Sequence, residues 1–106
     1  MRSTASAPCY RLFALPGPEP RRPGLVRARG NEEGAAIDVE VWRLPATGLG
    51  RLVASLPAPL RIGTVELHDG TTAPGFLCEA HAAARATEIT AHGGWRAYLA
   101  GDEPGG

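Results

Sequence analysis

Residues 60–82 read LRIGTVELHDGTTAPGFLCEAHA, and this stretch predicts a β-hairpin. Residues 62–68 predict a strand. The dipeptide Asp69-Gly70 favours a two-residue hairpin turn, after which the chain returns through GFLCEAHA. A loop of that length pairs Ile62 with Leu77 and brings the two ends of the stretch side by side.

The rest of the chain predicts further strands and two short helices around this hairpin. Alternation or β-branched residues favour strands over residues 9–15, 25–29 and 37–41. Leucine and valine at helical spacing favour a helix over residues 45–56, and WRAYLA at residues 95–100 favours a second one. These elements predict an α+β fold with a small mixed, mainly antiparallel sheet and one or two short helices.

The length of 106 residues fits one domain. Residues 1–8 are small, polar and without period, so we expect a disordered N-terminus before a domain over residues 9–101 and a flexible tail over residues 102–106. Proline-rich residues 16–24 predict a loop, and Pro57-Ala58-Pro59 is expected to end the first helix.

The charge balance weighs against two classes of partner. The chain has 11 basic and 11 acidic residues, so it lacks the field that attracts nucleic acid or an anionic membrane. Every basic residue is arginine, which excludes a Schiff-base lysine and a P-loop lysine. No segment has the length and apolar character of a signal peptide or a membrane span, so we expect a cytoplasmic protein.

The two cysteines, Cys9 and Cys78, are far apart in sequence and belong to no CxxC pair. We expect them to be reduced, buried thiols, with a disulfide as the alternative. A chain of this size can bury a sufficient core by itself, so no cofactor and no metal is expected.

Candidate functional residues are few. Glu79 and His81 are two residues apart on the predicted return strand, so both are expected to face the same side, with Arg61 nearby on the partner strand. A carboxylate can orient an imidazole for proton transfer, and an arginine can bind an anionic substrate. His92 precedes the last helix and is a further candidate for substrate binding. A solvated strand face or a structural Glu–His hydrogen bond explains the same pattern, and the alternatives stay open.

Several blocks, in order and with similar spacing, resemble the C-terminal domain of allophanate hydrolase. They are CYRLFALPG, PGLVR, IDVEVWRLP, LVASLPAPLRIGTVELHDG, GFLCEAHA and GGWRAYLA, and they extend over residues 9–100. The resemblance implies a γ-glutamylcyclotransferase-like partial barrel around a pocket. It also implies a role in urea degradation, in which an amidase removes ammonia from allophanate and the small domain decarboxylates the resulting N-carboxycarbamate. Glu79 and His81 would then be the catalytic residues, and Arg61 would bind a carboxylate of this urea-derived substrate.

The chain departs from the family pattern at its start. Family members usually begin with a glycine-rich strand of the type VGAHLSGMPLN, which carries a histidine, whereas only MRSTASAP precedes Cys9. A missing strand would expose sheet edges. We therefore expect self-association or complementation by a separate amidase subunit, and a non-catalytic accessory module is the alternative function. The prolines after the first helix occupy the place of the cyclotransferase glutamate, so cyclotransferase chemistry is not expected.

Overall fold

The structure, a computed structural model, describes residues 2–16, 22–55 and 60–101. Residues 17–21 of the predicted loop, residues 56–59 at the end of the first helix and the tail at residues 102–106 lie outside the described residues. The last two residues of the predicted loop, Pro23 and Gly24, belong to a strand instead, because they pair with Ala14 and Phe13.

Short strands and shorter helices alternate along the described chain. In order they are β1 (Arg2–Ala5), β2 (Tyr10–Ala14), β3 (Pro23–Arg27), β4 (Asp38–Val41), α1 (Ala46–Ala54), β5 (Leu60–Glu66), β6 (Thr72–Cys78), α2 (Ala80–Ala83), β7 (Thr87–Glu88) and α3 (Trp95–Leu99), with a 3₁₀ turn at Thr90–His92 before α3. No helix in the described segments combines the length and the apolar character needed to span a bilayer.

The described strands form three small antiparallel sheets, in the orders β1–β4, β3–β2–β7 and β5–β6. Single bridges connect them: Ser6 pairs with Leu67, and Tyr10 pairs with Ala35. The sheets curve around one core without closing into a barrel in the described part of the chain. The α+β fold class with a mainly antiparallel sheet is confirmed.

The core lies between the sheets. Alternation along β2 places Tyr10, Leu12 and Ala14 in it, where they pack with residues from β3, β5 and the segments next to β4 and β7. Tyr10 is 1% exposed, and its hydroxyl oxygen accepts a hydrogen bond from the backbone N–H of Glu66 at 2.9 Å. This bond ties the end of β5 to β2 and satisfies a polar group inside the core.

The N-terminal stretch, which its composition predicts to be disordered, forms β1 over Arg2–Ala5 instead. The reason is a long-range ladder with β4, in which Thr4 faces Val39. Just beyond β1, the fully buried Ser6 accepts a hydrogen bond on its Oγ from the Ile37 backbone N–H at 2.9 Å. The local composition of residues 1–8 does not indicate that they pair with β4, more than thirty residues away. A prediction from local sequence therefore misses this strand.

The β5–β6 hairpin forms as predicted, but its register differs by one residue. Ile62 faces Phe76 rather than Leu77. The Leu67 N–H donates to the Thr71 carbonyl at 2.8 Å, so the loop holds three residues instead of two. Its last residue, Gly70, has a φ of +87°, which is the left-handed position typical of three-residue hairpin loops.

Candidate functional site

The structure brings Glu79 and His81 together, although not on one strand. Strand β6 ends at Cys78, and Glu79 is the extended residue that precedes helix α2, which contains His81. The first turn of α2 places the His81 Nδ1 3.3 Å from the Glu79 Oε2. Both side chains are exposed. A carboxylate at Nδ1 leaves Nε2 free toward solvent, so the pair can hold or transfer a proton there.

Arg61 does not join this pair. It lies on β5 opposite Leu77, with its side chain exposed. Its Nη1 lies beside Gly63, only 3.2 Å from the position that a Cβ on this glycine would occupy. The guanidinium therefore lies along the strand toward the turn, away from Glu79. No ion pair involving Arg61 occurs among the residues that the structure describes.

His92 belongs to a separate aromatic cluster. It ends the 3₁₀ turn at Thr90–His92 and is followed by Gly93 with a φ of +81°. The ring of His92 meets the ring of Tyr98 edge-on, with centroids 5.2 Å apart. Its Nδ1 is buried and has no hydrogen-bond partner in the described part of the chain. The structure thus places His92 in a cluster apart from Glu79 and His81, with its Nδ1 closed off from solvent.

An apolar groove of about 1280 Å³ lies between β4, α1 and the β5–β6 hairpin. Four exposed large apolar side chains line it: Trp42, Leu44, Leu52 and Phe76. Sequence reasoning missed this groove, because its walls come from segments that are distant in sequence. One feature of the sequence indicated this groove. Trp42 follows Asp38 and Glu40 on the polar face of β4, where a large aromatic side chain favours an interaction surface.

The rim of the groove carries charge. Arg2 and Arg43 line it, and neither forms an ion pair with another described residue. Glu40 also lines it, but its carboxylate pairs with Arg96 from α3. The groove is therefore apolar inside and positively charged at one end of its rim.

A second polar cluster surrounds Arg11 on β2. Its guanidinium donates two hydrogen bonds to Glu88, at 3.1 and 2.9 Å, and one to Glu32 at 2.7 Å. The hydrogen bond from Arg11 holds the pKa of Glu88 below its usual value, and the same bond raises the pKa of Arg11. Thr90 donates a further bond to Glu88 at 2.8 Å. These contacts attach β7 to β2, and every charged group in the cluster already has a partner.

Both cysteines are free thiols, with Cys78 buried and Cys9 half-buried. Burial raises the pKa of the Cys78 thiol, and the nearby charge of Glu79 adds to the effect. No group of three or more His, Cys, Asp or Glu side chains converges to hold a metal ion within residues 2–16, 22–55 and 60–101.

Comparisons with known proteins agree with the resemblance of the sequence blocks. The profile of the allophanate hydrolase C-terminal domain family matches residues 1–100. The urea amidolyase of Saccharomyces cerevisiae is 38% identical over 100 residues, which are 92% of this chain and 5% of that protein. The crystal structure of Kluyveromyces lactis urea amidolyase superposes with a TM-score of 0.87 at 34% identity, covering 95% of this chain and 6% of that one.

A smaller relative also matches. The crystal structure of c4763, a uropathogenic E. coli-specific protein, superposes with a TM-score of 0.82 at 35% identity and covers 97% of this chain and 77% of that one. The chain thus spans about a twentieth of the curated relatives that it matches, but most of this shorter protein.

Proposed function

Because the chain belongs to the allophanate hydrolase C-terminal domain family, we propose that it decarboxylates N-carboxycarbamate, the product that an amidase forms from allophanate during urea degradation. The observation that carries this proposal is the 3.3 Å contact between His81 and Glu79. It supplies an exposed proton donor, whereas the other side-chain ion pairs of residues 2–16, 22–55 and 60–101 all involve arginine.

Loss of carbon dioxide from N-carboxycarbamate breaks one of its two C–N bonds. The bonding electron pair goes to the nitrogen, which takes a proton, and the product is carbamate. In the proposed step, His81 donates this proton from Nε2, while Glu79 at Nδ1 orients the ring. The imidazole is then ready to take up the next proton from water.

Binding of the substrate needs groups that recognise carboxylates. Arg61 is the proposed partner of the carboxylate that remains, because a guanidinium can donate two parallel hydrogen bonds to it. Its side chain must then swing away from Gly63 toward Glu79. His92 has no role in this step, because it packs in a separate aromatic cluster with its Nδ1 buried.

The test uses an allophanate hydrolase fragment that has amidase activity but lacks its own C-terminal domain. Carbon dioxide and ammonia release from allophanate are followed with and without this chain. His81→Ala should lower the chain-dependent rate of carbon dioxide release by about 100-fold or more, as loss of a general acid does. His68→Ala, which removes another exposed imidazole two residues after a glutamate, is the matched control and should leave the rate unchanged. Equal rates for the two variants would refute the assignment of His81.

A second candidate function is a non-catalytic accessory module that binds the amidase subunit. The exposed apolar groove favours it, and so does the occurrence of this domain inside much longer relatives. It predicts that the chain is retained by immobilised amidase without any chain-dependent carbon dioxide release. Retention on immobilised amidase, measured together with chain-dependent carbon dioxide release, therefore separates the two functions.

A further inference from the structure

The loop of the β5–β6 hairpin contains the one Asp-Gly pair of the sequence. The other two aspartates and the single asparagine are each followed by a residue other than glycine. Asp69 and Gly70 are both exposed, and a Cβ on Gly70 would meet no atom within 4 Å. Because glycine has no side chain to hinder its own amide nitrogen, this nitrogen is open to attack on the neighbouring carboxyl group.

The reaction available to such a pair is rearrangement to isoaspartate. The Gly70 nitrogen attacks Cγ of the protonated Asp69 side chain, and the new N–C bond closes a succinimide ring. The carboxyl hydroxyl oxygen leaves as water, together with its own proton and the amide proton. Water then adds to the main-chain carbonyl of the ring and opens it. The product has the same mass as the parent, but its peptide bond runs through Cγ and its main chain is longer by one methylene group.

Hydrogen bonds on both reacting groups oppose the ring closure. The Asp69 Oδ1 accepts a bond from the Thr71 hydroxyl at 2.6 Å and another from the Thr71 backbone N–H at 3.0 Å. These two bonds hold the pKa of Asp69 below its usual value, whereas ring closure needs the protonated carboxyl. The Gly70 N–H donates to the Leu67 carbonyl at 3.0 Å, and the nitrogen must give up this bond before it attacks.

We propose that Asp69 is a site of isoaspartate formation and that the Thr71 side chain restrains this modification in the folded chain. The modification would act on the hairpin. A longer main chain between Leu67 and Thr71 disturbs the loop, in which the Leu67 N–H donates to the Thr71 carbonyl at 2.8 Å. Leu67 is only 3% exposed, so a disturbed loop also loosens the adjoining part of the core. The proposal concerns chemical ageing and holds whichever of the two functions applies.

Peptide mapping of the full chain during incubation in warm neutral buffer tests the proposal. Chromatography separates the aspartyl and isoaspartyl forms of the peptide that contains residue 69, and electron-transfer fragmentation identifies them. Thr71→Ala removes the hydroxyl bond and should raise the rate of isoaspartate formation by about threefold or more, as loss of one exposed hydrogen bond does. Thr72→Ala is the matched control, because the exposed Thr72 donates no such bond to Asp69, and it should leave the rate unchanged.

The same incubation in urea separates the effect of the fold from that of the local sequence. Unfolding removes both restraints, so the parent and Thr71→Ala should form isoaspartate at equal rates in urea, and faster than the folded parent. Equal rates for the two folded proteins, or the same difference between them in urea, would overturn the restraint by Thr71. If no isoaspartate forms at residue 69 even in urea, the assignment of the site is wrong.

Discussion

Replacing Gly34 with alanine should destabilise the fold through a backbone clash. A Cβ at this position would lie 2.7 Å from the Cα and 2.8 Å from the carbonyl carbon of Cys9, and 3.1 Å from the carbonyl oxygen of Pro8. Carbon atoms in contact normally stay about 3.5–4.0 Å apart, so relief requires the two segments to separate by about 1 Å. The neighbouring Ala35 exchanges two hydrogen bonds with Tyr10, which resist this movement.

Overpacking of this kind costs about 1–3 kcal/mol. For a domain of this size, we therefore expect Gly34→Ala to lower the melting temperature by roughly 5–20 °C. Gly34 does not have a positive φ, so the loss would come from lack of space rather than from backbone strain. Urea and thermal unfolding followed by circular dichroism measure the effect.

Gly50 provides the matched control. It lies within α1, and a Cβ there would meet no atom within 4 Å. Gly50→Ala should therefore stabilise the protein by about 0.5–1 kcal/mol, because alanine has the higher helix propensity. The two substitutions add the same methyl group with opposite expected signs. If Gly34→Ala and Gly50→Ala both raise the free energy of unfolding, Gly34 does not pack closely against the backbone before β2.

Three further predictions concern stability and reactivity. Ser6→Ala removes the hydrogen-bond acceptor of the Ile37 N–H and should lower the free energy of unfolding in urea by about 1–3 kcal/mol. An unchanged midpoint of urea unfolding would argue against this hydrogen bond. The hydrogen bond from Arg11 holds the pKa of Glu88 below its usual value, so the ionised Glu88 stabilises the fold and this contribution is lost as acid protonates it. Glu88→Gln should therefore reduce the fall in stability on acidification, and parallel pH profiles for the variant and the parent would contradict this. Cys78 is buried and its pKa is raised, so iodoacetamide should alkylate Cys78 more slowly than Cys9. Mass spectrometry of the alkylated peptides measures both rates, and equal rates would contradict the burial of Cys78.

The strands and helices were largely predictable because they depend on local patterns. Alternation placed β2 and β4 correctly, the Asp69-Gly70 turn signal placed the hairpin, and helical spacing placed α1 and α3. The register of the hairpin was not predictable from these patterns. The Asp69 side chain accepts hydrogen bonds from Thr71, and this contact supports a three-residue loop. A change of one residue in loop length moves every cross-strand pair.

The candidate site was predictable only in part. The two-residue spacing of Glu79 and His81 does bring them together, but through the first turn of α2 rather than along a strand. The direction of the Arg61 side chain depends on the space over Gly63, which sequence spacing does not specify. The groove combines residues from β4, α1 and β6, so it exists only in the assembled fold.

The proposed function requires that this chain accelerate the decarboxylation of N-carboxycarbamate. Carbon-13 NMR of labelled allophanate, converted by amidase that lacks the C-terminal domain, measures the lifetime of this intermediate directly. Adding the chain should shorten this lifetime in proportion to its concentration. A lifetime that stays the same at every concentration of the chain would contradict it and leave the accessory function.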